Sequence, residues 1–128
     1  MPQPWTIFGT LSQWEGSQFD NNFVQAAAMA NLPCTIAGSN ILTLTNQVTG
    51  LSLSAYANYM TFYGIAVSNN TGSVTAAVGS LSVLNVYKDS TSGPVALTGG
   101  EIVANNGIWL TYDSTLNSGS GGFHLMTG

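Results

Sequence analysis

From Cys34 onward, apolar side chains tend to alternate with polar ones in short runs, and clusters of Gly, Asn and Ser interrupt them. A repeat of two is the signature of a strand with one face buried, because successive side chains leave a strand on opposite sides. The runs are also rich in Val, Ile, Thr and Tyr, which suit a pleated surface. Strands are predicted over residues 34–37, 40–45, 51–54, 59–67, 74–78, 81–87, 95–97 and 107–112, with 122–126 as a further one. Turns are expected at Gly38-Ser39-Asn40, Asn69 to Gly72, Asp89 to Pro94, Asn105-Asn106-Gly107 and Asn117 to Gly122. With no helical stretch between them, strands so closely spaced predict a mainly β fold, a small antiparallel sandwich or jelly-roll-like barrel. Segment 59–67 is apolar on both faces, with Tyr59, Tyr63, Ile65 and Val67 on one and Met60, Phe62 and Ala66 on the other. Both of its sides are therefore expected to be covered.

The periodicity upstream is different. Between Ser17 and Ala30, Phe19, Phe23, Ala26, Ala27 and Ala30 recur at helical spacing, and Asn21, Asn22 and Gln25 fall off that stripe. Ser17 with Asp20 three residues on forms a variant of the capping box. Leu32-Pro33 ends the pattern, since proline disfavours helical geometry in the residue before it. Before the helix, Pro2 to Phe8 reads as an extended arm, too rich in proline for a central strand and too apolar, at Trp5, Ile7 and Phe8, to remain in water. The expected organisation is one domain: an arm over 1–16, a short helix over 17–31 and a β-rich body over 32–128.

Composition narrows the function. The 128 residues include one Lys or Arg and five Asp or Glu, so 5% of the chain is charged, against about a quarter in an ordinary soluble protein. One lysine cannot form the basic cluster that displaces counterions from phosphates, so no nucleic-acid partner is expected. No polybasic membrane anchor is present, and no apolar run is long enough for a transmembrane helix. The opening Met1-Pro2-Gln3-Pro4-Trp5 has neither the positive nor the apolar stretch of a secretory signal. A net charge of −4 gives weak repulsion between copies. The expectation is a surface partly occupied by other subunits, since buried interface centres are depleted of charge.

The inventory for chemistry is short. The single histidine, His124, sits in a strand pattern and is expected to serve packing or hydrogen bonding. The single cysteine, Cys34, is expected to behave as a small buried apolar residue. Glu15, Asp20, Asp89, Glu101 and Asp113 each occupy an ordinary turn or capping position. One Cys and one His do not make a zinc site, and the carboxylates lack the spacing of a calcium loop. No catalytic residue, metal or cofactor is expected. Aromatic rings are the remaining candidates: Tyr56, Tyr87, Trp109 and Tyr112 are placed as possible glycan contacts, against the plainer reading of core and interface packing.

Leu11-Ser12 with Phe19-Asp20-Asn21-Asn22-Phe23 resembles the N-terminal helix pattern of tailed-bacteriophage virion accessory proteins. Leu97-Thr98-Gly99-Gly100-Glu101-Ile102-Val103, Trp109-Leu110-Thr111-Tyr112-Asp113 and Gly121-Gly122-Phe123-His124-Leu125 look like the closing strands of their β-rich decoration, head-fibre and tail-fibre modules. The resemblance implies a non-enzymatic structural protein of the virion, a capsid decoration or cement protein or a head fibre. It also implies homotrimers that contact the major capsid protein or another virion component. The module is expected on the capsid surface, with the tail as the other location, after synthesis in the bacterial cytoplasm. Trp5, Ile7, Phe8, Trp14, Phe19 and Phe23 are the expected assembly contacts. The alternative is a tail-fibre-type module that binds host glycan.

Overall fold

A computed structural model describes residues 31–126 of the chain. The expected arm and the expected helix as far as residue 30, with the six assembly residues Trp5, Ile7, Phe8, Trp14, Phe19 and Phe23, lie outside the described residues, whereas Asn31, expected to end the helix, is the first residue of a strand.

Eight strands follow one another: β1 (Asn31–Ala37), β2 (Ile41–Asn46), β3 (Thr61–Ile65), β4 (Val74–Val78), β5 (Leu84–Lys88), β6 (Val95–Ala96), β7 (Gly107–Asp113) and β8 (Gly122–Met126). Seven of them run in the order β4-β2-β1-β3-β7-β8-β5, and pairing of β4 with β5 closes the ring. The short β6 extends the far end of β5 through Lys88↔Val95. The result is a closed barrel, but not an antiparallel one: β1 with β3, β2 with β4 and β5 with β8 are parallel pairs. The expectation of an antiparallel sheet is corrected here. Side-chain alternation is the same for either strand direction, so periodicity carries no information about it.

Two strand expectations also change. Residues 51–54 form no strand, because the Asn46 side chain takes over the local bonding: its amide donates to the Leu51 carbonyl at 3.1 Å and its Oδ1 accepts from the Val48 amide at 2.9 Å. Leu51 and Leu53 still pack against the core from that loop. Segment 59–67 is a strand only over Thr61–Ile65, although Tyr59, Met60 and Ala66 still exchange backbone hydrogen bonds with Tyr112, Asn105 and Asn106; at its start Tyr59 adopts a φ of 70°, outside strand geometry. The break at Leu32-Pro33 falls inside β1, where Pro33 is tolerated because its carbonyl still accepts from the Gln47 amide at 2.9 Å.

Inward positions fill the barrel with Leu, Ile, Val and Phe. Leu44, Phe62, Ala76, Leu110 and Phe123 have no exposed surface, as the narrow interior of a small barrel demands. Both ends are plugged. At the end where β3 starts, Tyr56 stacks on Tyr112 with centroids 5.1 Å apart and meets Phe123 edge-on at 5.3 Å. At the end where β3 stops, the connections 66–73 and 97–106 run side by side in opposite directions, bonded at Ala66 to Asn105 and Asn106 and joined again by Asn70. Asn70 is the buried polar side chain of the described residues, at 2% exposure. Its Oδ1 accepts from the Ile102 amide at 2.8 Å, and its Nδ2 donates to Gly72 O at 3.0 Å and Glu101 Oε1 at 2.9 Å. Among the described residues no helix is long and apolar enough to cross a membrane.

Candidate functional site: the outer wall of β1, β3, β7 and β8

The outer wall follows from register. Pro33 lies opposite Tyr63, Tyr63 opposite Trp109, and Trp109 opposite Met126. Strand alternation turns all four away from the core, so they form one apolar row across four adjacent strands. Tyr63 and Trp109 stack, with centroids 4.7 Å apart and planes 21° from parallel. Trp109 is 37% exposed, Met126 50%, and Ile65, on the same face of β3, 58%. Of the two faces of 59–67, one is covered, with Met60, Phe62 and Ala66 in the core; on the other, Tyr59, Ile65 and Val67 stand open among the described residues, and the helix or second protomer expected to cover them lies outside those residues. Trp109, Met126 and Ile65 thus place exposed apolar side chains on one part of the wall among the described residues.

Next to the row on β7 and β8 lies a polar cluster. His124 faces outward, with Thr111 opposite. Its Nε2 lies 2.8 Å from Asp113 Oδ2, and its Nδ1 lies 2.9 Å from Asp89 Oδ1. Burial alone would lower the His124 pKa, but the bonds to Asp113 and Asp89 outweigh it and raise it above the ordinary 6.5. Asp113 is held down to about 2 by the Thr115 hydroxyl, the His124 ring and the Thr115 amide. With a carboxylate at each ring nitrogen, the His124 ring is a clasp that ties the turn after β5 to the β7–β8 hairpin. In its protonated form both ring N–H groups donate to these carboxylates.

The second charged group, Glu101, is built into the barrel end. Burial pushes its carboxyl upward, but hydrogen bonds from Lys88, Asn70, and the Thr98 and Gly99 amides outweigh this and hold it well below the usual range. The Lys88 ammonium is 2.8 Å away. Cys34 faces the interior, where burial raises its thiol to about 11. It therefore stands on the other side of the barrel wall from His124, and the two do not form a dyad. Among the described residues, no group of three or more His, Cys, Asp or Glu could hold a metal ion.

The four aromatic candidates are not gathered. Tyr56 and Tyr112 belong to the stack at the barrel end, and the Tyr56 hydroxyl donates to Ser82 O at 2.7 Å and accepts from the Val78 amide at 3.1 Å. Tyr87 lies over Gly122, with its hydroxyl accepting from the Asn85 amide at 3.3 Å. Trp109 alone stands on the apolar row. It also borders an open cavity of about 460 Å³ lined by Glu101, Val103, Asn105, Asn106, Gly107 and Ile108. Sequence reasoning missed the pairing of Tyr63 with Trp109, because it needs the register of two strands more than forty positions apart. The alternation that places Trp109 on the face opposite Ile108 and Leu110 was the available signal. Comparison with protein-family models, characterised proteins and solved structures finds no match to this chain.

Proposed function

We propose that this chain is a non-enzymatic structural protein of a tailed-bacteriophage virion, an oligomeric capsid decoration or cement protein or a head-fibre protein. The observation that carries this reading is the apolar row Pro33–Tyr63–Trp109–Met126, exposed at Trp109 and Met126 among the described residues, on a barrel that has almost no charge with which to keep copies apart. Such a surface is suited to being fitted against other subunits. Burial of each large apolar side chain contributes about 1.5–3 kcal/mol, enough for a few per copy to hold a module on a shell without salt bridges. The few ionisable groups serve the fold: His124 and Glu101 each spend their bonding capacity on neighbouring segments. The partners in this reading are sister subunits, as a homotrimer, and the major capsid protein or another virion component.

The test is to locate the protein on intact particles by electron microscopy and to add the purified chain to particles lacking it. Regular occupancy of the capsid surface is the expected result. A chain that remains monomeric at high concentration and binds no particle overturns the proposal.

A second reading, a tail-fibre-type module that binds host glycan, has the cavity beside Trp109 in its favour. An aromatic face next to the amide side chains of Asn105 and Asn106 is the chemistry that neutral sugars use. Sugar binding on a glycan array that disappears in Trp109→Ala supports it, and a blank array removes it.

A further inference from the structure

We infer that His124 is a pH-operated latch on the hairpin arm of residues 89–96: the protonated ring holds the arm to the barrel through Asp89, and loss of one ring proton lets the arm go.

The geometry sets the protonation state. A neutral imidazole has one N–H and one lone pair, so it donates to one carboxylate and turns an acceptor on the other. His124 has a carboxylate oxygen 2.8 Å from Nε2 and another 2.9 Å from Nδ1. With both carboxyls ionised, that arrangement needs both N–H groups. Among the described residues, β5 sets Tyr87 beside the ring and β7 sets Thr111 opposite it, and the charged groups on it are Asp89, just past β5, and Asp113, at the end of β7. The chain's one lysine, Lys88, is engaged with Glu101 at 2.8 Å. Burial lowers the ring's pKa, the bonds to Asp113 and Asp89 raise it, and the balance lies above 6.5. The arm is therefore held at that pH and freed at higher pH.

When the proton leaves, the two carboxylates are not equal. The Asp113 side chain is 26% exposed, and its Oδ1 is fixed by the Thr115 amide at 2.9 Å and the Thr115 hydroxyl at 2.6 Å. The Asp89 side chain is 67% exposed and makes no second hydrogen bond among the described residues. Water can take over Asp89 at little cost, whereas Asp113 stays where Thr115 holds it. The remaining proton therefore sits on Nε2, and Asp89 faces a lone pair on Nδ1.

Little else holds the arm. Residues 89–96 are exposed apart from the half-buried Gly93. β6 pairs with β5 at two positions, and the hydrogen bonds of the tip run among Ser90, Ser92 and Gly93. Both feet are fixed, by Lys88 on Glu101 and by the buried Leu97. A segment with so few buried contacts opens at low free energy, independently of the barrel. One ionic hydrogen bond is then a large share of what keeps it closed.

A single histidine makes the ring's nuclear magnetic resonance signals unambiguous in the full-length chain. Its nitrogens should titrate from the imidazolium to the Nε2–H tautomer. Across that step the backbone order parameters of residues 89–96 should fall from the rigid value of about 0.85 to below about 0.6, while those of β3 and β7 hold. In Asp89→Asn the carboxamide can accept from the imidazolium or donate to the neutral ring. The arm of that variant should stay rigid throughout, and its ring should titrate at a lower pH than the parent's. A ring that does not titrate while the barrel is folded overturns the inference, and so does a neutral ring with its proton on Nδ1. Equal order parameters on both sides of the step, a fall shared by β3 and β7, or an Asp89→Asn arm that loosens as its ring titrates also overturns it.

Discussion

Individual side chains carry much of the specificity of this barrel. Asn70 joins two adjacent connections with three side-chain hydrogen bonds while 2% exposed. Asn70→Ala should therefore cost about 3 kcal/mol in urea unfolding, because it strands the buried Ile102 amide. Asn70→Asp should cost more at neutral pH, since it sets a second carboxylate against Glu101 Oε1. His124 and Asp113 make stability depend on pH from both sides. The folded chain holds the His124 proton more tightly than the unfolded chain, so this contribution is complete below about pH 6.5 and fades as the pH rises through the higher folded value. Asp113 acts in the opposite sense: its contribution is complete above its ordinary 3.8 and is lost as the pH falls to about 2. Melting temperatures measured from pH 2 to 9 should show both arms, and His124→Gln should flatten the alkaline one. An unchanged alkaline arm would show that the clasp has no thermodynamic weight. The clasp was not legible in the sequence: His124 stands 35 positions from Asp89 and 11 from Asp113, and only strand register brings them together.

Among the elements, β4 and β8 have the bounds that alternation predicts, Val74–Val78 and Gly122–Met126, because both run between clear Gly and Asn turns. Leu51 to Ser54 has an equally apolar look and forms no strand, since an asparagine side chain offers its backbone an alternative set of partners. Which strands are neighbours was not legible, because the parallel pairs β1–β3 and β2–β4 arise from connections that cross the barrel ends, and no local pattern records a crossing. β3 shows how tight the wall is. A methyl group added at Gly64 would collide with the Cys34 carbonyl oxygen and come within 3.0 Å of the Ile36 side chain. Gly64→Ala should therefore lower stability by about 2–3 kcal/mol, read as a reduced urea midpoint at unchanged slope. A neutral result would mean that β1 can shift away from β3 without cost. On the opposite face of the same strand, Tyr63 and Ile65 tolerate polar replacement if the fold is considered alone, so Ile65→Thr should leave the midpoint within about 0.5 kcal/mol.

At the scale of the whole molecule, the shortage of charge sets how the protein responds to its solvent. Raising sodium chloride from low to high concentration should move the unfolding free energy by less than about 1 kcal/mol, because the chain has few ion pairs to screen. Sulfate should stabilise both the barrel and any assembly of it, since exclusion of that salt from the surface strengthens apolar burial. Assembly that dissolves in sodium chloride would point to contacts other than apolar ones. The ring itself has a consequence for synthesis. β8 is seated between β7 and β5, its neighbours on either side, and until residues 122–126 have cleared the ribosome both of those strands present bare edges. The nascent chain thus stays an open, adhesive ribbon until that segment is available, and becomes a cylinder when a keystone strand slides into place.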